Sequence, residues 1–260
     1  MRINRITSPD NERIKLYRRL CTDKKLRRKE ELFVLEGARL VSDAAGIIPF
    51  HSVFMTENAM QRFPEASEKI CGNTDCVNII TEDIAAAMAQ TDTSQQIFAV
   101  MHSPQRKSIS DAAVSSNKVI ILDNIQDPGN MGTILRTADA CGIDTVVLCS
   151  CTDELAPKVV RSAMGSIMRI CICREEYPAA VDTLRKSGFT VYASVINGGD
   201  VLGQMPFAEK SAVVIGNEGS GMPEEHIALA DRRLTIRMHG RVNSLNAAMA
   251  AGIIMWELSK

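Results

Sequence analysis

The chain has 260 residues, 45% of them hydrophobic and 23% charged, with a formal net charge of −1. That is the composition of a globular protein long enough for two modest domains or one large one. No stretch approaches the roughly 18 consecutive apolar residues that span a bilayer, and MRINRITSPDNERIK at the N-terminus has no apolar targeting core, so a cytoplasmic chain with no membrane partner is expected.

Residues 1–30 carry 11 Lys or Arg against 4 Asp or Glu, a local charge of +7 that leaves −8 for the remainder. Such a basic segment reads either as a surface facing a polyanion or as a solvated helix face. Ser8 is placed to cap a helix and Pro9 to occupy its first position, with Ile14, Tyr17, Leu20 and Cys21 recurring at helical spacing. KKLRRKEE follows as a polar, basic stretch. Beyond it LFVLEG reads as a strand, ARLVSDAAG as a helix, FHSVFMTE as a strand and NAMQRFPEASEKI as helical. DCVNIIT is a further strand, TEDIAAAMAQ a capped helix and QQIFAVM a closing strand. Residues 1–103 are thereby predicted to form a small α/β domain. The polar HSPQRKSISDAAVSSN, without an apolar period, predicts a linker over 104–117.

From Lys118 the alternation strengthens. KVIILD, TVVLCS, MRICIC, TVYASVI, AVVIG and RLTIRM read as strands, and helices are predicted over 130–141, 157–165, 178–187, 223–230 and 244–259. Near-continuous apolar strands between amphipathic helices imply a parallel sheet covered on both faces, in a second domain spanning 118–260. Ligands of such sheets sit at the carboxyl ends of the strands. The eight cysteines form no C-x-x-C pair and have no zinc-ribbon spacing, so reduced, mostly buried thiols are expected, with Cys171 and Cys173 on one strand face. His51, His102, His226 and His239 are scattered and carry no catalytic expectation. No metal is predicted.

Three loops fall at the ligand-binding edge. DPGNMG turns a strand into a helix, with Asn130 suited to N-cap it and Arg136 off the apolar stripe of Ile134, Leu135 and Ala138. The turn is neither G-x-G-x-x-G nor G-x-x-x-x-G-K-[ST], which supports neither dinucleotide nor P-loop binding. IGNEGSGM places Gly216, Gly219 and Gly221 around Glu218, where the backbone can approach a flat or extended ligand closely. HGRVNSLNAAMAAGI leads into the last helix, with Ser244 suited to cap it and Asn246 in its first turn. Each loop alone is ordinary turn and capping chemistry.

In this order and spacing, NIQDPGNMGTILRTADACG, IGNEGSGM and SLNAAMAAGI resemble the three motifs of the SpoU (TrmH-type) branch of the SPOUT methyltransferases over residues 118–260. ITSPDNERIKLYRRL and KKLRRKEELFVLEGARLV are similar to the L30e-like substrate-binding domain that many members carry in front. The resemblance implies a parallel α/β fold whose C-terminal segment is tied into a deep trefoil knot, a homodimer, and transfer of a methyl group from S-adenosylmethionine to a ribose 2′-hydroxyl of RNA. It implies cofactor contacts from Gly216, Ile236 and Leu245, with Asn217, Glu218 and Met238 nearby. It implies catalytic roles for Asn130 and Asn246 in shaping the site, Ser244 in positioning substrate or cofactor, and Arg136 at the hydroxyl. Ribosomal RNA, 23S in particular, is the expected substrate and transfer RNA the alternative; Arg18, Arg19, Arg27 and Arg28 are the expected RNA contacts. Two other readings are a catalytically silent RNA-binding protein of the same fold and a Rossmann-type oxidoreductase, the latter lacking its fingerprint. The chain departs from the family where Ile236-Arg237-Met238 replaces the usual Ile-Pro-Met, giving up proline's fixed φ, and where Asn243 stands in place of a common acidic residue.

Overall fold

A computed structural model describes residues 2–260. The chain forms two compact units: the residues up to Pro104 together with Asp153–Met168, and Gln105–Thr152 together with Arg169–Lys260.

In the first unit, β1 (Arg2–Ile6) leads to α1 (Glu12–Thr22) and α2 (Lys24–Glu30), then β2 (Leu32–Glu36), α3 (Ala38–Ala44) and β3 (Phe50–Met55). α4 (Glu57–Arg62), α5 (Pro64–Gly72), β4 (Cys76–Ile80), α6 (Glu82–Met88) and β5 (Ile97–His102) complete the N-terminal part. The sheet order is β1-β4-β3-β5-β2, with β1, β4 and β3 parallel and β5 antiparallel to both its neighbours. α1 buries Ile14, Tyr17, Leu20 and Cys21 against Phe54, Ile80, Phe98 and Val100. Tyr17 meets Phe54 and Phe98 edge-on at 6.2 and 5.5 Å, the geometry that aromatic quadrupoles favour.

In the second part of the chain, α7 (Ile109–Ser115), β6 (Lys118–Asp123), α8 (Pro128–Ala140) and β7 (Thr145–Cys149) precede α9 (Pro157–Ser162), which packs on β2 within the first unit. β8 (Cys171–Arg174), α10 (Tyr177–Lys186), β9 (Thr190–Ser194), β10 (Asp200–Val201), β11 (Ser211–Ile215), α11 (Glu224–Leu229), β12 (Arg232–Thr235) and α12 (Ala247–Leu258) follow. The second unit's sheet is wholly parallel, in the order β10-β12-β9-β11-β6-β7-β8. Val119, Ile121, Val147 and Val214 pack with α7 and α10 on one face; α8 and α12 pack against each other, with Ile134, Leu135, Ile254 and Met255 buried. Because every strand is parallel, the chain leaves β6, β11 and β12 at the same edge, and the three loops noted above begin there.

The structure corrects several local expectations. β1 is a strand that RINRI does not advertise: it lies at the sheet edge, with Ile3 exposed. Asn11, not Ser8, caps α1, accepting from the Arg13 N–H at 3.0 Å, while Ser8 Oγ accepts from Asp10 N–H in the turn before it. The stretch expected as linker contains α7, capped by Ser108 and burying Ile109, Ala112 and Ala113 at helical spacing too short to stand out. The segment 153–168, expected in the second domain, belongs to the first unit. Cys171 and Cys173 do point together, their sulfurs 4.0 Å apart, and all eight cysteines are free.

Arg27 is the largest correction among the expected RNA contacts. Arg18, Arg19 and Arg28 are exposed, but Arg27 is only 4% exposed and donates through Nε and Nη2 to Asp153 Oδ2 at 2.9 and 2.7 Å, and through Nη1 to the Leu20 carbonyl. On α2 the charge run alternates between solvent and core with the helical period, so one arginine of the run is buried and paired. A buried pair broken from one side leaves an uncompensated charge and typically costs about 3–5 kcal/mol. Arg27→Ala is therefore expected to lower stability by that amount in urea unfolding of the full chain, whereas the double change Arg27→Met, Asp153→Leu recovers most of it.

Candidate active site

α8 starts two residues earlier than its sequence reads, and the reason fixes the site. Asp127, not Asn130, is the N-cap: its Oδ1 accepts from the Asn130 N–H at 2.8 Å and Pro128 takes the first helical position. A Cβ on Gly129 would lie 2.9 Å from Asp127 Oδ1, so the tight turn needs glycine there. Released from capping, the Asn130 side chain reaches outward. Its Nδ2 donates to Glu218 Oε1 at 3.1 Å, and its Oδ1 accepts from Asn246 Nδ2 at 2.9 Å. Asn246 itself is the cap of α12, in place of Ser244, and its Oδ1 accepts from Ala248 and Met249 N–H at 2.9 and 3.3 Å.

Glu218 is the hub of this network. Beyond Asn130 it accepts from Gln126 N–H at 3.3 Å, Asp127 N–H at 3.1 Å and Asn217 Nδ2 at 3.3 Å. Asn217 also donates to the Asn124 carbonyl at 2.8 Å and accepts from Gly219 and Ser220 N–H, each at 3.0 Å. The loop closes through Asn217 N–H to the Gly221 carbonyl and Gly221 N–H to the Asn217 carbonyl, with Gly221 at φ +68°. Burial raises the Glu218 carboxyl pKa, but hydrogen bonds from its own backbone, Asn130, Asp127 and Gln126 outweigh it and hold the group below its ordinary 4.5. The side chain is thus a carboxylate at neutral pH, as an acceptor-only hub requires.

Gly216, Asn217, Glu218, Ile236, Met238 and Leu245 line one cleft of about 200 Å³, and Ser244 joins them. All six expected cofactor contacts are thereby brought to one place. Gly216 is obligatory: a Cβ there would lie 2.5 Å from Met222 Cγ and 2.8 Å from Met222 N. Backbone from two loops and apolar side chains from Leu234, Ile236, Met238 and Ile254 make walls suited to a flat heteroaromatic ring whose polar edge is met by main-chain groups. S-adenosylmethionine fits that donor set. Sequence reasoning missed Ser194, Val195, Ile196 and Asn243 in the lining; the first three close the TVYASVI stretch, Ser194 as the last residue of β9, and their position at a strand's carboxyl end was the available signal. Arg136 stands apart. It lies in the third turn of α8, exposed, with no hydrogen-bond or ion-pair partner among the described residues, and it does not line the cleft. Arg237 is exposed as well.

A second polar pair sits behind the loops. His226 Nδ1 lies 2.7 Å from Oδ2 of the buried Asp123 at the end of β6, and the Tyr177 ring stacks on the imidazole at 4.3 Å, its hydroxyl donating to the His226 carbonyl. This joins α11 to β6.

The cleft lies at the carboxyl edge of a parallel sheet, walled by the chain after β9, β11 and β12 and braced by the loop after β6 through Glu218, the place where α/β domains of this kind bind a cofactor. Residues 117–256 match the SpoU rRNA Methylase family and residues 11–99 the MRM3-like substrate binding domain. The chain is 35% identical to the 23S rRNA (guanosine(2553)-2′-O)-methyltransferase of Bacillus subtilis, over 98% of this chain and 99% of that one. Among solved structures it resembles an AdoMet-bound rRNA methyltransferase from Sinorhizobium meliloti (TM-score 0.87, 28% identity, 98% and 97% of the two chains). A putative RNA methyltransferase of the TrmH family from Porphyromonas gingivalis is also similar (TM-score 0.80, 30% identity, 96% and 97%). The chain belongs to the SpoU rRNA methylase family.

A carboxylate held below its ordinary value stabilises the fold at pH above 4.5 and loses that contribution as pH falls through the depressed value. Glu218 is exposed, so screening keeps the effect small; Glu218→Gln is accordingly expected to melt about one to three degrees below the parent chain at pH 7, the gap narrowing steadily on the acid side of pH 4.5. A gap that is constant from pH 7 to pH 3.5 would remove ionised Glu218 from the centre of the network.

Proposed function

We propose that this chain transfers the methyl group of S-adenosylmethionine to a ribose 2′-hydroxyl of 23S ribosomal RNA. The observation that carries the reading is the convergence of Gly216, Ile236 and Leu245 on one cleft, next to a Glu218–Asn130–Asn246 network that ties their two loops to the loop after β6. Near-complete coverage at 35% identity of a relative named for 23S rRNA 2′-O-methylation supports the substrate. The same reading carries the trefoil knot, supported by a strand order in which β12, last in the chain, lies between β10 and β9 and not at the sheet edge.

Bound in the cleft, S-adenosylmethionine supplies an electrophilic methyl group. The chain's own task is alignment, which converts a bimolecular step into an effectively unimolecular one. Asn130 holds both Glu218 and Asn246, so loop geometry is set before substrate arrives. Ser244, exposed at the cleft wall, is free to position substrate or cofactor. Arg136 acts as a clamp on the phosphate beside the reacting ribose. Guanidinium groups in general are poor bases near neutral pH, their reference value lying about six units higher, whereas a charged guanidinium grips a phosphate through two parallel hydrogen bonds.

The working form is a homodimer. Met249, Ile253 and Trp256 form an apolar stripe on α12 and are 61%, 40% and 66% exposed; a second copy covers them, and sedimentation of the purified chain measures this directly. The dimer gives Arg136, which is off its own chain's cleft, a place in the shared RNA site.

Two outcomes test the reading. The chain is expected to bind S-adenosylmethionine and not NAD, and to add a 2′-O-methyl mark to 23S RNA; Arg136→Lys should lose at least roughly 2 kcal/mol of transition-state stabilisation, with a flat pH–rate profile. A lysine enzyme whose rate climbs tenfold per pH unit between 7 and 9 makes residue 136 the base instead. On the N-terminal face, replacing Arg18, Arg19 and Arg28 together by Ala should weaken RNA binding and flatten its log–log salt slope by roughly 0.7–0.9 for each phosphate no longer neutralised. S-adenosylmethionine affinity stays at the parent value. An unchanged salt slope would take these three arginines out of the RNA interface.

A further inference from the structure

A polar cavity of about 690 Å³ opens in the first unit, walled by Arg13, Phe50, His51, Ser52, Cys76 and Asn78. Its size is that of pockets that take a drug-sized ligand, about 300–1,000 Å³. Three features distinguish it from a packing defect. Asn78 interrupts the apolar strand CVNII and is 1% exposed, where a buried amide is costly unless hydrogen-bonded. Its Nδ2 donates to the Val53 carbonyl at 2.8 Å, and its Oδ1 accepts from Arg13 Nη1 at 2.7 Å. Arg13 is thus held by one nitrogen, and its remaining guanidinium N–H groups have no partner among the described residues. Finally, the pairing of β3 with β5 shifts register between Phe50 and Ser52, the kind of irregularity that re-aims a side chain. There the exposed His51 ring is braced edge-on by His102 at 5.8 Å. Burial first, then His102 and Arg13, hold His51 below its ordinary 6.5, so at pH 7 the ring is neutral and presents a π face. The one carboxylate in the wall, Asp75, is exposed.

We propose that this cavity holds one unpaired nucleotide of the RNA substrate, its phosphate on Arg13 and its base stacked on His51. The proposal rests on the RNA-methylation reading above and adds a site to it. Arginine presents a planar fork matched to phosphate, and stacking on an aromatic ring accepts any base. A phosphate and a flat ring recognised together specify a nucleotide, and the wall beside them, with Ser52, is polar.

Cys76, half-buried in the wall, reports occupancy. In the full chain, a short single-stranded RNA is expected to slow alkylation of Cys76 by N-ethylmaleimide at least fivefold, read by peptide mass spectrometry, with Cys141 of the other unit as internal control. Adenosine 5′-monophosphate should protect only at far higher concentration. Arg13→Gln and His51→Ala should each abolish protection and raise KM for RNA about tenfold, leaving kcat and S-adenosylmethionine affinity unchanged; His51 is exposed, which keeps that variant clear of folding effects. Protection by the mononucleotide at micromolar concentration, with none from RNA, would overturn the RNA assignment in favour of a free nucleotide. Cys76 labelled at the same rate with either ligand, in a preparation that methylates RNA, would overturn the site itself. Protection by RNA in a preparation that methylates nothing would leave the pocket standing and sink the methylation reading alone.

Discussion

The carboxylate of Glu218 accepts hydrogen bonds from residues 92, 91 and 88 positions earlier in the chain, and the cleft depends on this more than on any other interaction. The backbone N–H groups of Gln126 and Asp127 and the amide of Asn130 all point at it, and through Asn130 the network continues to Asn246 at the head of α12. Loops are the parts of a fold most free to move. Here three of them are tied to one anion, so their main-chain groups are already oriented when ligand arrives. Such preorganisation is the condition under which fixed dipoles contribute to a reaction without reorganising during it. The sheet makes the tie possible. β11 pairs directly with β6, in parallel and in register, so the loop after one strand must emerge beside the loop after the other.

Much of the second unit was legible because its signals are redundant. A parallel sheet buried on both faces demands near-continuous apolar strands, and KVIILD, TVVLCS and AVVIG have no other economical reading. Of the six expected cofactor contacts, Gly216 carried its own signal, because close backbone approach leaves glycine as its mark; Asn217, Glu218, Ile236, Met238 and Leu245 were legible only through the resemblance of the loops to the family's motifs. Capping was less legible. Asp127 and Asn130 have nearly equal capping ability, as do Ser244 and Asn246, and the choice between them is made by partners about ninety to more than a hundred residues away. Local sequence contains no record of Glu218 claiming Asn130.

The N-terminal unit was harder to read for a different reason. β1 is an edge strand carrying Arg2, Asn4 and Arg5, and a strand exposed at an edge is under little pressure to look like one. At the start of the second unit, α7 was missed because it buries only three small or medium side chains, too few for a period to emerge. Arg27 shows the limit of reading charge from composition. In KKLRRKEE five basic residues follow one another closely, yet the helix turns one of them inward, where the pairing with Asp153 decides its role. What each cation of a basic run does is set by the helical face it occupies.

That pairing has a consequence for how the protein is partitioned. Asp153 and α9 come from the middle of the chain but complete the core of the N-terminal unit, where α9 lies on β2. The N-terminal unit is therefore no cassette that ends at Pro104. A fragment cut there would carry the Arg27 guanidinium without its counter-charge and β2 without its covering helix. Exchanging this unit whole for that of a relative would take three junctions, one after Pro104 and one on each side of Asp153–Met168.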